Sequence, residues 1–183
     1  LVDEFRFSKG LSRNNCLDLQ TTIDGNLIYI NDWSDGVGAQ PKGEQIMVID
    51  PDGNPLDSLD INKAHPDIDV GRVLLPSSSG DNYFFCGSDL SEENYIVNGS
   101  IYKYNKSLDS LLWRLELPSN PFTNGRRYRA MNMIEANNGD ILVCGTVIDY
   151  EPDGPIASQN DYIWTGFITR LDADGNILWL RLY

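Results

Sequence analysis

The feature that most constrains this chain is repetition. Three segments share a glycine-bearing turn followed by a short apolar strand: IDGNLIYIN at 23–31, SGDNYFFCG at 79–87 and NGDILVCG at 138–145. Ile30, Cys86 and Cys144 take one pattern position, at intervals of 56 and 58 residues. A second unit follows each segment, a strand, an acidic or glycine-bearing turn and another strand: IMVIDPDGNPLDSLDI at 46–61, IYKYNKSLDSLLWRLEL at 101–117 and FITRLDADGNILWLRLY at 167–183. Asp-Gly between strand-like runs marks a hairpin, because glycine supplies the positive φ that a tight turn requires. A further strand precedes each glycine turn, at 16–22, 72–76 and 129–136. In the last of these Met131, Met133 and Glu135 alternate with Ala130, Asn132 and Ile134, the two-residue period of a strand. No long apolar stripe of period 3.6 emerges.

Each repeat therefore reads as four strands in an up-and-down meander, the signature of a β-propeller with one blade per repeat. The expected fold is all-β: about three four-stranded antiparallel blades at 12–61, 70–117 and 127–183, in a single domain or segment over 1–183. Closed propellers typically have four to eight blades. The expectation is thus an open part of a larger propeller, with further blades or a partner chain at the open edges, and residues 5–8 as the remnant of a preceding blade.

Composition narrows the partners. The 183 residues include 14 Lys+Arg against 27 Asp+Glu, a formal net charge of −13. That balance argues against a nucleic-acid backbone and against an anionic membrane surface, both of which call for a basic footprint. At 41% hydrophobic and 10% aromatic the chain has enough apolar material for a packed core. No run of 18 apolar residues exists, so no transmembrane segment is expected. The sequence opens at Leu1 without Met and without a basic-then-apolar leader, which fits either a processed secreted protein or an excised piece of a chain. Cys16, Cys86 and Cys144 are too few and too scattered for a disulfide framework or a zinc site, and buried free thiols are expected.

The Gly-Asp-Ile-Leu-Val-Cys-Gly segment, followed by Ile-Thr-Arg-Leu-Asp-Ala-Asp-Gly-Asn-Ile-Leu-Trp, resembles the blade repeat of secreted bacterial β-propellers of the Bacteroidetes type. The likeness spans nearly the whole chain, clearest in the third copy and weakest in the first, where Ser58 falls near the place of Trp113 and Trp179. It implies an extracellular or outer-cell-surface location. The spacing of Asp172, Gly175 and Trp179 also resembles the blade motif of quinoprotein dehydrogenases, in which a tryptophan docks blade on blade. The adjacent cysteine pair and calcium ligands of those enzymes are missing, so no quinone cofactor, nor any other, is expected.

A propeller places its long connections on one face, and such loops on a rigid scaffold are where binding usually resides. Here the long segments are 31–45, 88–99 and 146–166, with interblade stretches at 60–71 and 118–128. They hold Asp32, Glu44, Asp89, Glu92, Glu93 and much of the remaining acidic excess. The candidate binding residues are Trp33, Asp35, Tyr95, Tyr150, Tyr162 and Trp164, with the basic run Arg126, Arg127 and Tyr128. Aromatics offer rigid apolar area and carboxylates accept hydrogen bonds, a mixture suited to sugar hydroxyls or a protein surface.

Other chemistry is thinly represented. Asp50-Pro-Asp-Gly-Asn and Asp172-Ala-Asp-Gly-Asn look calcium-like but sit at hairpin spacing without the twelve-residue loop and terminal Glu of an EF-hand, so a structural turn and no metal site are expected. His65 is the sole histidine, and without a Gly-x-Ser-x-Gly elbow it reads as a loop residue, with no catalytic residue to assign. Asp57-Ser58-Leu59 and Asp109-Ser110-Leu111 resemble the Bacteroidetes O-glycosylation acceptor, making Ser58 and Ser110 candidate glycan sites; Asn98 and Asn105 head N-glycosylation patterns. The expected function is a non-catalytic module that binds a protein or glycan through its long loops. The alternatives are a carbohydrate-active enzyme using loop carboxylates, or a surface lipoprotein accessory of a nutrient-uptake complex.

Overall fold

A computed structural model of the chain describes residues 13–34, 43–66, 68–90, 96–117, 127–149 and 163–183. Among these the fold is all-β, with three four-stranded antiparallel sheets and a single four-residue helix. Sheet 1 is β1 (Arg13–Thr21), β2 (Leu27–Ser34), β3 (Gly43–Ile49) and β4 (Pro55–Asp60). The helix α1 (Ile61–Ala64) leads to sheet 2, made of β5 (Ile68–Pro76), β6 (Asn82–Leu90), β7 (Ile96–Asn105) and β8 (Leu111–Glu116). Sheet 3 is β9 (Arg127–Glu135), β10 (Ile141–Asp149), β11 (Ile163–Leu171) and β12 (Ile177–Leu182). In every sheet the strands pair in sequence order, so the meander read from the repeats holds. None of the described helix is long and apolar enough to cross a membrane.

Six tight turns close six of the nine sequential hairpins, and all share one hydrogen bond and one backbone feature. An N–H three residues on returns to the first residue's carbonyl, as Gly25 to Thr22 at 3.0 Å and Gly175 to Asp172 at 3.1 Å, and the third position after the first residue has positive φ. In four of them the first residue's N–H also donates to the carbonyl four residues on, as Thr22 to Asn26, the three-residue hairpin loop with a bulge; in the β5–β6 and β7–β8 turns it reaches five residues on, Ser77 to Asn82 and Asn105 to Ser110, so those loops hold four residues. Glycine fills that position in five turns, with φ of 77 to 88°. The sixth turn uses Leu108 at φ 55°. The two Asp-x-Asp-Gly-Asn stretches are such turns: Asp50 Oδ1 accepts from the N–H groups of Asp52 and Asn54, and Asp172 Oδ1 does the same for Asp174 and Asn176. Their carboxylates are consumed by the turns.

The sheets stack face on face, and two clusters make the core. Ile28, Ile30, Ile46 and Val48 of sheet 1 pack against Leu74, Tyr83, Phe85, Tyr102 and Tyr104 of sheet 2. The opposite side of sheet 2, with Phe84, Cys86 and Ile101, packs against Tyr128, Met133, Ile141, Val143 and Phe167 of sheet 3. Sheet 2 is covered on both sides, which is why residues 83–86 are apolar without alternation. The first strands of successive sheets are neighbours, β1 beside β5 and β5 beside β9. Polar ties cross both interfaces: Asp18 Oδ2 accepts the Leu74 N–H at 2.7 Å, and Glu135 Oε2 accepts the Ser78 N–H at 2.5 Å.

The tight turns gather at one end of the stack. Lys106, in the β7–β8 turn, bonds Asp24, in the β1–β2 turn, at 2.8 Å, and Ile23 packs on Gly80 of the β5–β6 turn. Turn aspartates are held ionised there. The Lys106 ammonium, and next the Thr22 hydroxyl, bring Asp24 down to about 2. Asp50, Asp109, Asp140 and Asp172 are lowered by their Asn54, Asn105, Asn138 and Asn176 partners, with Arg170 adding to Asp140. A folded pKa below the unfolded one stabilises at neutral pH, and that contribution disappears as pH falls through the folded value. The melting temperature should therefore drop between about pH 4, the ordinary carboxylate value, and the folded value of about 2 for Asp24. Asp24→Asn should flatten that slope in a thermal-melt series; a native chain with no slope there would contradict the assignment.

Several expectations change. The strands run further than the sequence pattern showed, so Asp32 and Glu44 are strand residues and the connections shrink to 35–42, 91–95 and 150–162. Cys86 is buried, but Cys16 on β1 and Cys144 on β10 are exposed free thiols; the covering that buries Cys86 comes from sheet 3, and no described residue covers the outer face of sheet 3 where Cys144 lies. His65 lies outside any helix or strand, as the loop reading has it, but it is buried. It follows α1, is 8% exposed and places Nε2 2.6 Å from the Tyr104 hydroxyl, with its ring 4.8 Å from that of Tyr102. Register puts Asp57, rather than Ser58, opposite Val48, where Trp113 stands opposite Lys103 and Trp179 opposite Arg170.

Candidate functional site

The long connections leave the sheets at the end opposite the tight turns. In sheet 1 the pair Trp33 and Gly43 brackets residues 35–42; in sheet 2 Leu90 and Ile96 bracket 91–95; in sheet 3 Asp149 and Ile163 bracket 150–162. β9 begins at the same end, where Arg127 pairs with Ile148. Meander geometry dictates this, since alternate turns of an up-and-down sheet fall at opposite ends.

Polar side chains collect on the strands just beneath these connections. In sheet 1 Asn15, Asp32 and Glu44 lie in one cross-strand row. In sheet 3 Arg129, Thr146 and Gly166 form the corresponding row. Glu44 is 1% exposed, and its N–H donates to Asn62 Oδ1 of α1. The helix is seated by Asp60, whose Oδ1 accepts from the Lys63 N–H at 3.0 Å, and by the fully buried Ile61. Asp32 Oδ1, Arg129 Nε and Thr146 Oγ1 are buried atoms with no hydrogen-bond partner among the described residues. Burying such atoms unpaired costs free energy, so they are the polar groups at this end best placed to gain from an incoming ligand or water.

The sequence-derived candidates distribute unevenly. Trp33, Arg127 and Trp164 belong to β2, β9 and β11, at the strand ends that open onto the long connections. Asp35, Tyr95, Arg126, Tyr150 and Tyr162 lie outside the described residues. Tyr128 is placed differently from an exposed binding aromatic: it is 4% exposed and packs edge-to-face on Phe167 at 5.2 Å between sheets 2 and 3. Ser58 is exposed on β4 and Ser110 is exposed just before β8, both on outermost strands or their turns, where a glycan would reach solvent. Arg129 closes the basic run 126–129 and Thr146 opens the long segment 146–166, but neither is among the candidate binding residues read from the sequence. The signal that would have found them is the alternation of β9 and β10 carried two residues further toward the connections.

Among the described residues no group of three or more His, Cys, Asp or Glu side chains is placed to hold a metal ion. No protein-family model matches the chain, and no curated protein matches it either. The chain is similar to a solved structure described as the crystal structure of the eukaryotic initiation factor, with a TM-score of 0.51 at 11% identity. The alignment covers 93% of this chain and 32% of that one, so the present chain spans about a third of that structure's length. At such identity the likeness bears on the fold alone.

Proposed function

We propose that the three sheets are successive blades of an open β-propeller, and that the chain is a non-catalytic module holding a protein or glycan at its long-connection end. The observation that supports this most is the sorting of the connections. Every described tight turn falls at one end, while the long connections leave from the other, above Asp32, Arg129 and Thr146 with their unpaired buried atoms. The side-by-side first strands and the face-on-face stacking support the propeller arrangement. An extracellular or cell-surface setting belongs to this reading and rests on the likeness of the repeat to secreted bacterial propellers.

The test is binding of the purified chain to arrayed glycans and to surface-protein extracts. Alanine substitution of Trp33, Tyr95 and Trp164 together should weaken the detected interaction by about 30-fold or more, the scale of an aromatic hot spot, with an unchanged far-UV spectrum. Unaltered affinity would rule out the long-connection end. Turnover of a glycan that one Asp or Glu substitution abolishes would replace the binding module with a carbohydrate-active enzyme.

A further inference from the structure

The two sheet interfaces are built from the same positions in different ways. Register aligns Asp57, Trp113 and Trp179 on the outermost strands. It also aligns the left-handed turn residues Gly53, Leu108 and Gly175. Between sheets 2 and 3 a tryptophan meets a glycine. Trp113 Nε1 donates to the Ala173 carbonyl at 3.2 Å, and a Cβ on Gly175 would lie 2.8 Å from the Trp113 ring. Between sheets 1 and 2 the volumes are exchanged: Asp57 stands in the tryptophan position and Leu108, 2% exposed, fills the interface from the turn. A large group on one side is matched by a small one on the other, as close packing demands.

Sheet 3 repeats the tryptophan side of this pairing with Trp179 on its outer face, where no described residue supplies the glycine turn. Sheet 1 repeats the glycine side with Gly53, in the turn Asp50-Pro51-Asp52-Gly53-Asn54, the counterpart of Asp172-Ala173-Asp174-Gly175-Asn176. The rest of the two faces agrees. Cys144 is exposed at the position where Ile30 and Cys86 are 0% and 2% exposed, and Leu19 is 54% exposed at the position where Leu74 and Met133 are 1% and 3% exposed. Positions that are interface in the other sheets are open here.

We infer that the outer face of sheet 3 docks on the outer face of sheet 1 of a second copy of this chain, Trp179 of one seated on Gly53 of the other. The contact is head-to-tail, and made twice about a two-fold axis it closes a ring. Three sheets from each copy give six, within the four to eight of closed propellers. This rests on the sheet-to-sheet packing and is independent of what binds at the long-connection end.

Sedimentation velocity on the full chain tests it. The native chain should dimerise, at twice its mass of 20.6 kDa. Trp179→Ala and Gly53→Leu should each weaken dimerisation by about 30-fold or more, the scale of an interface hot spot. Mixing the two variants should restore a dimer, because the mixed pair contains one native Trp179–Gly53 contact; an interface in which Trp179 meets the Trp179 of the other copy would not be rescued. Alkylation of Cys144, followed by peptide mapping, should slow as native protein concentration rises, a reading that needs no variant to fold. A monomer at every soluble concentration, a dimer insensitive to both substitutions, polymers without a fixed size, or Cys144 alkylation independent of concentration would each overturn the proposal.

Discussion

Phe85→Ala is expected to lower the stability of the chain by about 3–5 kcal/mol, the range for a buried aromatic cut back to a methyl group. Phe85 is fully buried between sheets 1 and 2. Its ring stacks on Tyr102 at 4.8 Å and 10° and on Tyr104 at 5.7 Å and 27°, and these two rings in turn hold His65. The cavity could close only if the sheets moved together, and Asp18 on Leu74 and Lys106 on Asp24 fix their separation at two other points. The loss should also loosen the α1 linker, which His65 anchors. Urea denaturation of Phe85→Ala and Phe85→Leu separates cavity from chemistry: the leucine variant, nearer in volume, should cost roughly 1.5 kcal/mol or less. An alanine variant as stable as the native chain would show that sheets 1 and 2 are not held together here.

What the sequence made legible is what local stereochemistry decides. Gly25, Gly53, Gly80, Gly139 and Gly175 had to adopt positive φ for the hairpins to close, so the turns and the strand order followed from their spacing. The turn at Leu108 was less legible, because a leucine there accepts an unfavourable left-handed backbone in exchange for filling a gap in another sheet. Burial of Cys86 but not of Cys144 likewise depends on the neighbouring sheet. At that position the three repeats look alike in sequence and differ in surroundings. The burial of His65 and Tyr128 was not legible for a related reason. His-Pro-Asp and Arg-Arg-Tyr-Arg are polar contexts, yet each ring finds a partner 39 residues along the chain, Tyr104 and Phe167. The candidate site was legible only as a location. Meander geometry places long connections at one end, whereas the unpaired atoms of Asp32, Arg129 and Thr146 emerge only from packing.

The exchange of volumes across the two interfaces makes the second large prediction, Gly175→Leu. A side chain at φ 85° costs about 1–2 kcal/mol in backbone strain. Its Cβ would also stand 2.8 Å from the Trp113 ring, an overpacking that typically adds about 1–3 kcal/mol. The substitution should therefore destabilise by about 2–5 kcal/mol. Leu108→Gly should lose a comparable amount for the opposite reason. Removing a buried leucine side chain costs about 2–5 kcal/mol, and relief of the strained backbone at φ 55° returns only about 1 of that. The decisive measurement is a double-mutant cycle in which Trp113→Asp is added to Gly175→Leu, rebuilding at sheets 2 and 3 the Asp57 and Leu108 arrangement of sheets 1 and 2. Packing exchange requires the pair to be less destabilised than the sum of the single changes, by a coupling of about 1–3 kcal/mol. Strict additivity would mean that Trp113 and Gly175 are independent, and that the two interfaces differ for reasons other than volume. A favourable coupling would show that each sheet selects its neighbour by where it places the large residue, a rule under which Trp179 accepts only a turn with glycine at its left-handed position.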